Sequence, residues 1–517
     1  MAEDTAKDTQ KDPQKEPQAE ATQVEGTQVE RKQAEATQFE GKKAEEKQIE
    51  KKTTWNKKKI IAFIIGFGAI AISIVIPDTG GITTIGWRSL AVLIFAITFW
   101  STEALPVAIV AMSILVFIPV LGIADYQSTM GKMGTVMVWR LVALFMITKA
   151  ITVSGLATRI AYAVLTITKG RVNFTLFCVL MLNFFFCFLI PNGYSRTVLL
   201  VTIMVGWLEA FNIRGNIAKA FMISIPVVSS LTSSAIIVGA SVDIFAVDLF
   251  NTMVGYQFTY MNWLIMNAPI CFVMTIVVYF LTIIVFKPEV KKIAGSEEMS
   301  IQKLRELGKL NQSEKVMVVM FIALLALWFT DTSERMPAEL LICILIVFPS
   351  KFRIMSIKDA LKSVNWSMVF LFGASLSMAS GLQTSGAVGF LAENVFSHMK
   401  GISPFYIALM VIGFTAVVRL GMTNMTGAGA TLLPILITVA IGIDINPVWL
   451  GMICVMSTCI CFFFPAQSAN NIFPYGFGYY KTTDLMRFGL IVTPVYAVVL
   501  ALFAVYYWPL VGHAIFG

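Results

Sequence analysis

Beyond residue 59 the chain alternates apolar runs with short polar breaks. Runs at 60–76, 87–103, 105–122, 134–153, 217–249, 261–286, 314–331, 337–350, 365–383, 447–475 and 488–511 predict about eleven transmembrane helices, several of them short for the roughly 20 residues needed to cross hydrocarbon. Two further apolar pairs, 172–190 with 197–211 and 403–420 with 427–441, are split by turns that hold Asn, Gly and Ser or Thr. Their arms are short, and each pair predicts a re-entrant hairpin that enters and leaves on one side. Residues 1–56 carry a different pattern. From Thr22 a five-residue repeat places its apolar members at Val24, Val29, Ala34, Phe39, Ala44 and Ile49. A step of five turns a helix by about 140°, so no apolar stripe forms, and the segment predicts a disordered, low-complexity cytoplasmic tail.

Composition narrows the class. The chain is 57% hydrophobic and only 14% charged, against roughly 25% charge in soluble domains. That excludes a water-soluble enzyme, a nucleic-acid binder and a disulfide scaffold. Seven cysteines lie in or beside apolar runs without a CxxC pair, and His398 and His513 are the sole histidines, so the thiols read as small buried hydrophobes rather than metal ligands. The first apolar run begins near Ile60, too late for a cleavable signal peptide. With the amino terminus inside and the spans threaded alternately, inner segments hold 23 Lys and Arg and outer segments 4. This is the inside-positive pattern. It predicts a multi-pass cell-membrane protein with a cytoplasmic amino terminus and an external carboxyl terminus. Four cations, Arg140, Lys149, Arg196 and Arg419, fall within membrane segments.

The two halves are similar in order. Val138–Leu156 parallels Asn365–Ala387, the turn Pro191–Arg196 parallels Thr423–Thr426, and Ser229–Asp243 parallels Pro465–Asn471, at offsets of 227 to 232 residues. Five spans separate equivalent points, an odd number, so the second copy is expected to be inverted. The predicted organisation is a tail (1–56), a first transmembrane helix (57–86), a first inverted repeat (87–286), a cytoplasmic linker (287–313) and a second inverted repeat (314–517). Inverted repeats with helices broken at the midplane are the architecture of a secondary transporter. None of HExxH, GxSxG or Walker A occurs, and no enzyme activity is expected. An anion channel would need a filter or rings of like charge, and the repeat with its two hairpins argues against one.

A helix that restarts at the midplane turns free N–H groups and a positive dipole end toward an anion, while unwound carbonyls suit cations. Asn192, Ser195, Thr197, Thr423, Asn424 and Thr426 add short polar side chains at the two restarts. Arg196 offers either a bidentate contact to a carboxylate or sulfate, or a cap on the hairpin. Asp243 is either a cation ligand, a proton carrier, or the ion-pair partner of Arg196 or Lys149. Tyr194 and Met425 enlarge tips that would otherwise be small and polar, unless they face lipid or pack on the neighbouring arm.

Phe99-Trp100-Ser101-Thr102-Glu103-Ala104-Leu105-Pro106 resembles the W-x-T-E-A-I/L-P signature of the divalent anion/sodium symporter family. Val364-Asn365-Trp366 through Gly373, Thr384-Ser385-Gly386, and Pro465–Asn471 followed by Tyr475-Gly476-Phe477-Gly478-Tyr479 are similar to its second-half motifs. Ser229–Ala235 and Pro191–Arg196 are nearer to its citrate and 2-oxoglutarate/malate translocator branch. The resemblance covers about 85–517. It implies an all-α polytopic fold of eleven spans and two hairpins in two inverted repeats, in a homodimer that moves small organic di- or tricarboxylates by an elevator-like shift. It implies sodium-coupled symport or anion exchange, with sulfate and proton coupling as the alternative, and no cofactor beyond candidate sodium ions. Each tip of the family carries Ser-Asn-Thr; here Asn192-Gly193-Tyr194 and Thr423-Asn424-Met425 stand there, and Asp243 replaces an Asn. Carried over residue by residue, substrate contacts fall at Asn192, Gly193, Tyr194, Ser195, Arg196, Thr197, Thr423, Asn424, Met425, Thr426, Ser468 and Asn471. Cation contacts fall at Asn192, Thr232, Ser233, Asp243, Asn424, Ala466 and Gln467.

Overall fold

The computed structural model describes residues 57–78, 81–102, 104–329, 338–348, 353–391, 402–422 and 424–516. The tail expectation for 1–56, together with Glu103 and Thr423, lies outside them. The chain divides into two units, residues 1–60 and 61–517, and the helical frame and the site belong to the second.

The described residues are helical almost throughout. In chain order the helices are α1 (Lys57–Val75), α2 (Thr84–Thr102), α3 (Val107–Val120), α4 (Tyr126–Gly131), α5 (Val136–Ser154), α6 (Leu156–Ile167), α7 (Val172–Leu189) and α8 (Gly193–Ala210). Then come α9 (Gly215–Leu231), α10 (Ser241–Val254), α11 (Tyr260–Val285), α12 (Ser296–Glu306), α13 (Gln312–Phe329) and α14 (Ala338–Val347). The rest are α15 (Ile357–Ser363), α16 (Trp366–Thr384), α17 (Ala387–Leu391), α18 (Pro404–Gly421), α19 (Met425–Gly442), α20 (Pro447–Ser457), α21 (Ala469–Tyr475) and α22 (Thr482–Leu502). Among the described residues seven helical stretches are long and apolar enough to cross a membrane, and five shorter apolar helices of 10–17 residues accompany them.

Two predicted spans prove discontinuous. The run 217–249 is α9, a 3-10 turn at Ser233–Ala235, and α10. The run 447–475 is α20, a 3-10 turn at Pro465–Gln467, and α21. Hydrophobicity reads through such breaks because Ser229–Ala235 and Cys459–Phe462 are buried as deeply as the helices around them, although the second turn itself includes exposed Ala466. The chemistry of the first break is local. Pro226 interrupts the ladder, and Ser230, Thr232 and Ser233 hydroxyls donate back to the carbonyls of Pro226, Val228 and Ser229 at 2.7–2.9 Å. Such back-bonding offers the backbone an alternative to helix.

At Gly155, with φ +84°, the chain leaves α5 and turns into α6, a helix not foreseen in the sequence. A left-handed residue just past a helix end is the usual place for glycine. The linker is also structured. Its α12 packs on α6 and is fastened by the Trp207 indole N–H donating to Ser296 Oγ at 2.8 Å. Arg159 of α6 grips Glu314 of α13 at 2.8 Å and donates to the carbonyls of Leu307, Gly308 and Lys309. Arg140 is likewise paired, with Glu339 of α14 at 3.0 Å, where the Trp328 indole also donates to Glu339. An intramembrane charge is expensive to bury alone, and this pair ties α5 to α14.

The order of elements recurs: α5–α6, hairpin α7/α8, broken α9–α10 in the first half; α16–α17, hairpin α18/α19, broken α20–α21 in the second.

Candidate functional site

Each hairpin breaks at an asparagine that caps the arm after it. Asn192 Oδ1 accepts from the N–H groups of Tyr194 (2.9 Å) and Ser195 (3.2 Å) at the start of α8. Asn424 Oδ1 accepts from Thr426 (2.9 Å) and Gly427 (3.4 Å) at the start of α19. Both capped arms are 18 residues long. The caps pair Asn192 with Asn424 and Gly193 with Met425, in keeping with the 232-residue offset between the halves and one position away from the placement on the family's Ser-Asn-Thr motif. The caps also revise the expected electrostatics. Two of the N–H groups that a helix start turns outward are taken by the Asn oxygen. What each tip offers an anion is therefore the Asn side-chain amide, the first N–H of the arm and the residual helix dipole. Asn192 Nδ2 makes no hydrogen bond among the described residues, and Asn424 Nδ2 meets only the Met368 sulfur at 3.7 Å.

Gly193 is required by proximity. A Cβ there would lie 2.6 Å from Ser233 Oγ and 3.0 Å from Ser229 O, so the first tip is pressed against the break after α9. Arg196 crosses the same seam. It is fully buried, donates through Nη2 to Ser229 O (2.9 Å) and Ser233 Oγ (3.2 Å), and does not line the cavity beside the tip. In this arrangement it is a strut between hairpin and break, nearer the capping alternative, with Nε and Nη1 left unpartnered among the described residues. Arg419 has a comparable place in the second half, donating to Met422 O (2.6 Å) and to Gln467 O (3.3 Å), while Gln467 Nε2 donates back to Arg419 O (3.2 Å).

The breaks meet each other across the halves. Asn470 Nδ2 donates to Ser230 Oγ at 2.9 Å, and Cys461 Sγ lies 3.6 Å from the same oxygen. Ser468 caps α21 by accepting from the Asn470 N–H, and Asn471 donates to Cys461 O.

The cation candidates separate by what their oxygens already do. Gln467 Oε1 accepts from the N–H groups of Phe463 and Phe464, and its main-chain oxygen from Arg419, so it acts as a loop clamp rather than an open ligand. The Thr232 and Ser233 hydroxyls donate their protons to helix carbonyls and keep their oxygen lone pairs, one of which at Ser233 accepts from Arg196. Ala466 is exposed. Asp243 stands apart. It is completely buried in the first turn of α10, Oδ1 accepts from Ser234 Oγ at 2.8 Å, and Oδ2 has no hydrogen-bond partner among the described residues. The expected ion pair with Arg196 or Lys149 is not formed. A lone buried carboxylate oxygen is costly unless a cation or proton joins it.

A cavity of about 530 Å³ opens beside the first tip. Asn192, Tyr194 and Ser195 line it; Thr197 and Arg196 do not, and neither do the second-tip residues Asn424, Met425 and Thr426 nor Ser468 and Asn471. Tyr194, largely exposed, sets its ring edge-on to Phe473 with centroids 6.4 Å apart. The lining also includes Lys149 of α5, and Lys362 and Asn365, residues that sequence reasoning had not placed at a site.

Two capped re-entrant tips facing two broken helices within an all-helical apolar frame define a multi-pass membrane protein of the secondary-transporter class, working on small anions. The chain belongs to the family described as sodium:sulfate symporter transmembrane region, which matches residues 57–514. It is 26% identical to a protein named "Membrane protein" from Cupriavidus necator over 469 residues, 86% of this chain and 91% of that one. It is 22% identical to the sodium-dependent dicarboxylate transporter SdcS of Staphylococcus saprophyticus over 477 residues, 87% and 91% of the two chains. The SdcS of Staphylococcus aureus USA300 is 21% identical over 487 residues, 89% and 93%. Among solved structures, Neisseria gonorrhoeae MtrF is similar in fold, with a TM-score of 0.52, 11% identity, and coverage of 88% of this chain and 96% of that one.

Proposed function

We propose that the chain carries small dicarboxylates across the cell membrane by sodium-coupled symport, with the Asn192 and Asn424 tips meeting the anion and Asp243 helping to hold the cation. The observation that carries this reading is the pair of matching asparagine caps, each presenting a side-chain amide at a helix start. The relatives named as sodium-dependent dicarboxylate transporters support the substrate and the ion. The first-half segments Ser229–Ala235 and Pro191–Arg196 favour a 2-oxoglutarate, malate or citrate type of substrate. The two halves act as inverted repeats in a homodimer, with the amino terminus cytoplasmic, the carboxyl terminus external, and the hairpins shifting as bodies against the remaining helices. Sulfate is the second reading, favoured by the description of the family.

The test is uptake by purified protein in proteoliposomes of labelled succinate, malate, 2-oxoglutarate, citrate and sulfate, with and without sodium and with preloaded anions. Saturable, sodium-dependent uptake of a dicarboxylate is the expected result. Movement of none of the carboxylates would end the carboxylate reading while leaving the fold intact, and sulfate uptake alone would select the second.

A further inference from the structure

The cavity beside the first tip has an electrostatic character that the tip residues do not explain. Lys149 sits one turn before the end of α5, exposed between buried Thr148 and Ala150. Lys362 sits in the last turn of α15. The helices carrying them pack together, with Ser363 Oγ 3.5 Å from Phe145 O. Both lysines line one cavity with Asn192 and Ser195, and neither has an ion-pair partner among the described residues. The acid in the lining, Asp359, is engaged at the start of its own helix. Ser356 Oγ donates to its Oδ2 at 2.6 Å and accepts its N–H at 3.1 Å. The lining therefore carries two cations against one tethered carboxylate.

Lys362 alone has an ordinary explanation, because a cation in a last helical turn complements the dipole. Lys149 has none of that kind. It lies within a membrane helix, where an ammonium is tolerated when it faces a wet cavity and marks an ion pathway. Beyond it the Asn192 amide is uncommitted and the Ser195 hydroxyl half-buried. At the second tip the Asn424 amide faces a methionine sulfur instead.

We propose that Lys149 and Lys362 form a two-ammonium capture site for a dicarboxylate at the mouth of this cavity, from which the anion passes to the Asn192 tip. The inside-positive assignment puts the mouth on the cytoplasmic side, so the pair sets apparent affinity from that side alone. This rests on the carboxylate reading above. Two ammonium groups on neighbouring helices select a divalent anion over a monovalent one, because each carboxylate gains its own partner.

The experiment uses right-side-out and inside-out vesicles containing the full chain, with labelled succinate as probe. Lys149→Gln and Lys362→Gln are compared with wild type and with Lys149→Arg and Lys362→Arg. Loss of one charge about 6–7 Å from a dianion in water-like, salt-screened surroundings changes affinity roughly three- to tenfold. The expected result is a rise of that size in half-saturation from the cytoplasmic face for each Gln variant. External half-saturation stays within about twofold, the ratio of maximal rate to half-saturation stays equal on the two faces at matched sodium, as reversibility requires, and the Arg variants keep the wild-type values. Equal shifts on both faces, a change in maximal rate alone, or Gln variants matching wild type would overturn the assignment while wild-type transport still upheld the carboxylate reading. Absence of succinate transport by wild type would remove that reading, and this site with it.

Discussion

Replacing Asn192 by Asp separates what the tip does for the fold from what it does for the anion. In the structure Asn192 Oδ1 holds two N–H groups of α8 at 2.9 and 3.2 Å. An aspartate keeps that acceptor, and its charge at a helix start is worth about 0.3–1 kcal/mol in favour of the fold. It also replaces the uncommitted amide donor with a negative charge. A dianion placed ~5 Å away would be repelled by about 1.7 kcal/mol even at the dielectric constant of water, roughly seventeenfold in affinity, and by about 7 kcal/mol at an effective dielectric of 20. Asn192→Ala is the complementary probe, because it removes the cap and costs about 1 kcal/mol of stability. Thermal unfolding in detergent and succinate half-saturation in proteoliposomes report the two quantities separately. Asn192→Asp is expected to melt no lower than wild type while its half-saturation rises more than tenfold. Wild-type half-saturation in that variant, or a melting loss as large as that of Asn192→Ala, would refute the reasoning.

Gly193→Ala is expected to cost about 1–3 kcal/mol through overpacking against Ser233 and Ser229, read as a lower melting temperature, with Ser233→Ala in the same chain recovering part of the loss. Glu339→Gln leaves Arg140 buried without its counter-charge and is expected to destabilise by about 3–5 kcal/mol, read by thermal unfolding. Asp243→Asn is expected to raise the sodium concentration for half-activation at least several-fold while the protein stays folded; unchanged transport and unchanged cation dependence would remove Asp243 from the cation site.

Much of the frame was legible because the bilayer makes hydrophobic length informative. Both hairpins were found from Asn-containing turns inside apolar runs, and the structure places their breaks at Asn192 and Asn424. The broken helices α9–α10 and α20–α21 were merged into single spans, since Ser229–Ala235 and Cys459–Phe462 are as buried as their neighbours and hydropathy carries no mark of lost helical bonds. The repeat offset already pairs Asn192 with Asn424, whereas matching side-chain types to the family motif puts Gly193 there; what repeats is a cap, a relation between an oxygen and two N–H groups. A cation at a tip leaves Arg196 open between an anion ligand and a hairpin cap. Its actual partners, Ser229 O and Ser233 Oγ, lie more than thirty residues away in sequence. Lys362 had been counted only among the cytoplasmic cations, and nothing local signals that α15 folds back beside the first tip.

The most direct measurement of the central claim is succinate accumulation by the purified protein in proteoliposomes under an imposed inward sodium gradient. Uptake above the equilibrium level is expected, collapsing when a sodium ionophore dissipates the gradient. Saturable entry that stops at equilibrium and ignores sodium would contradict it.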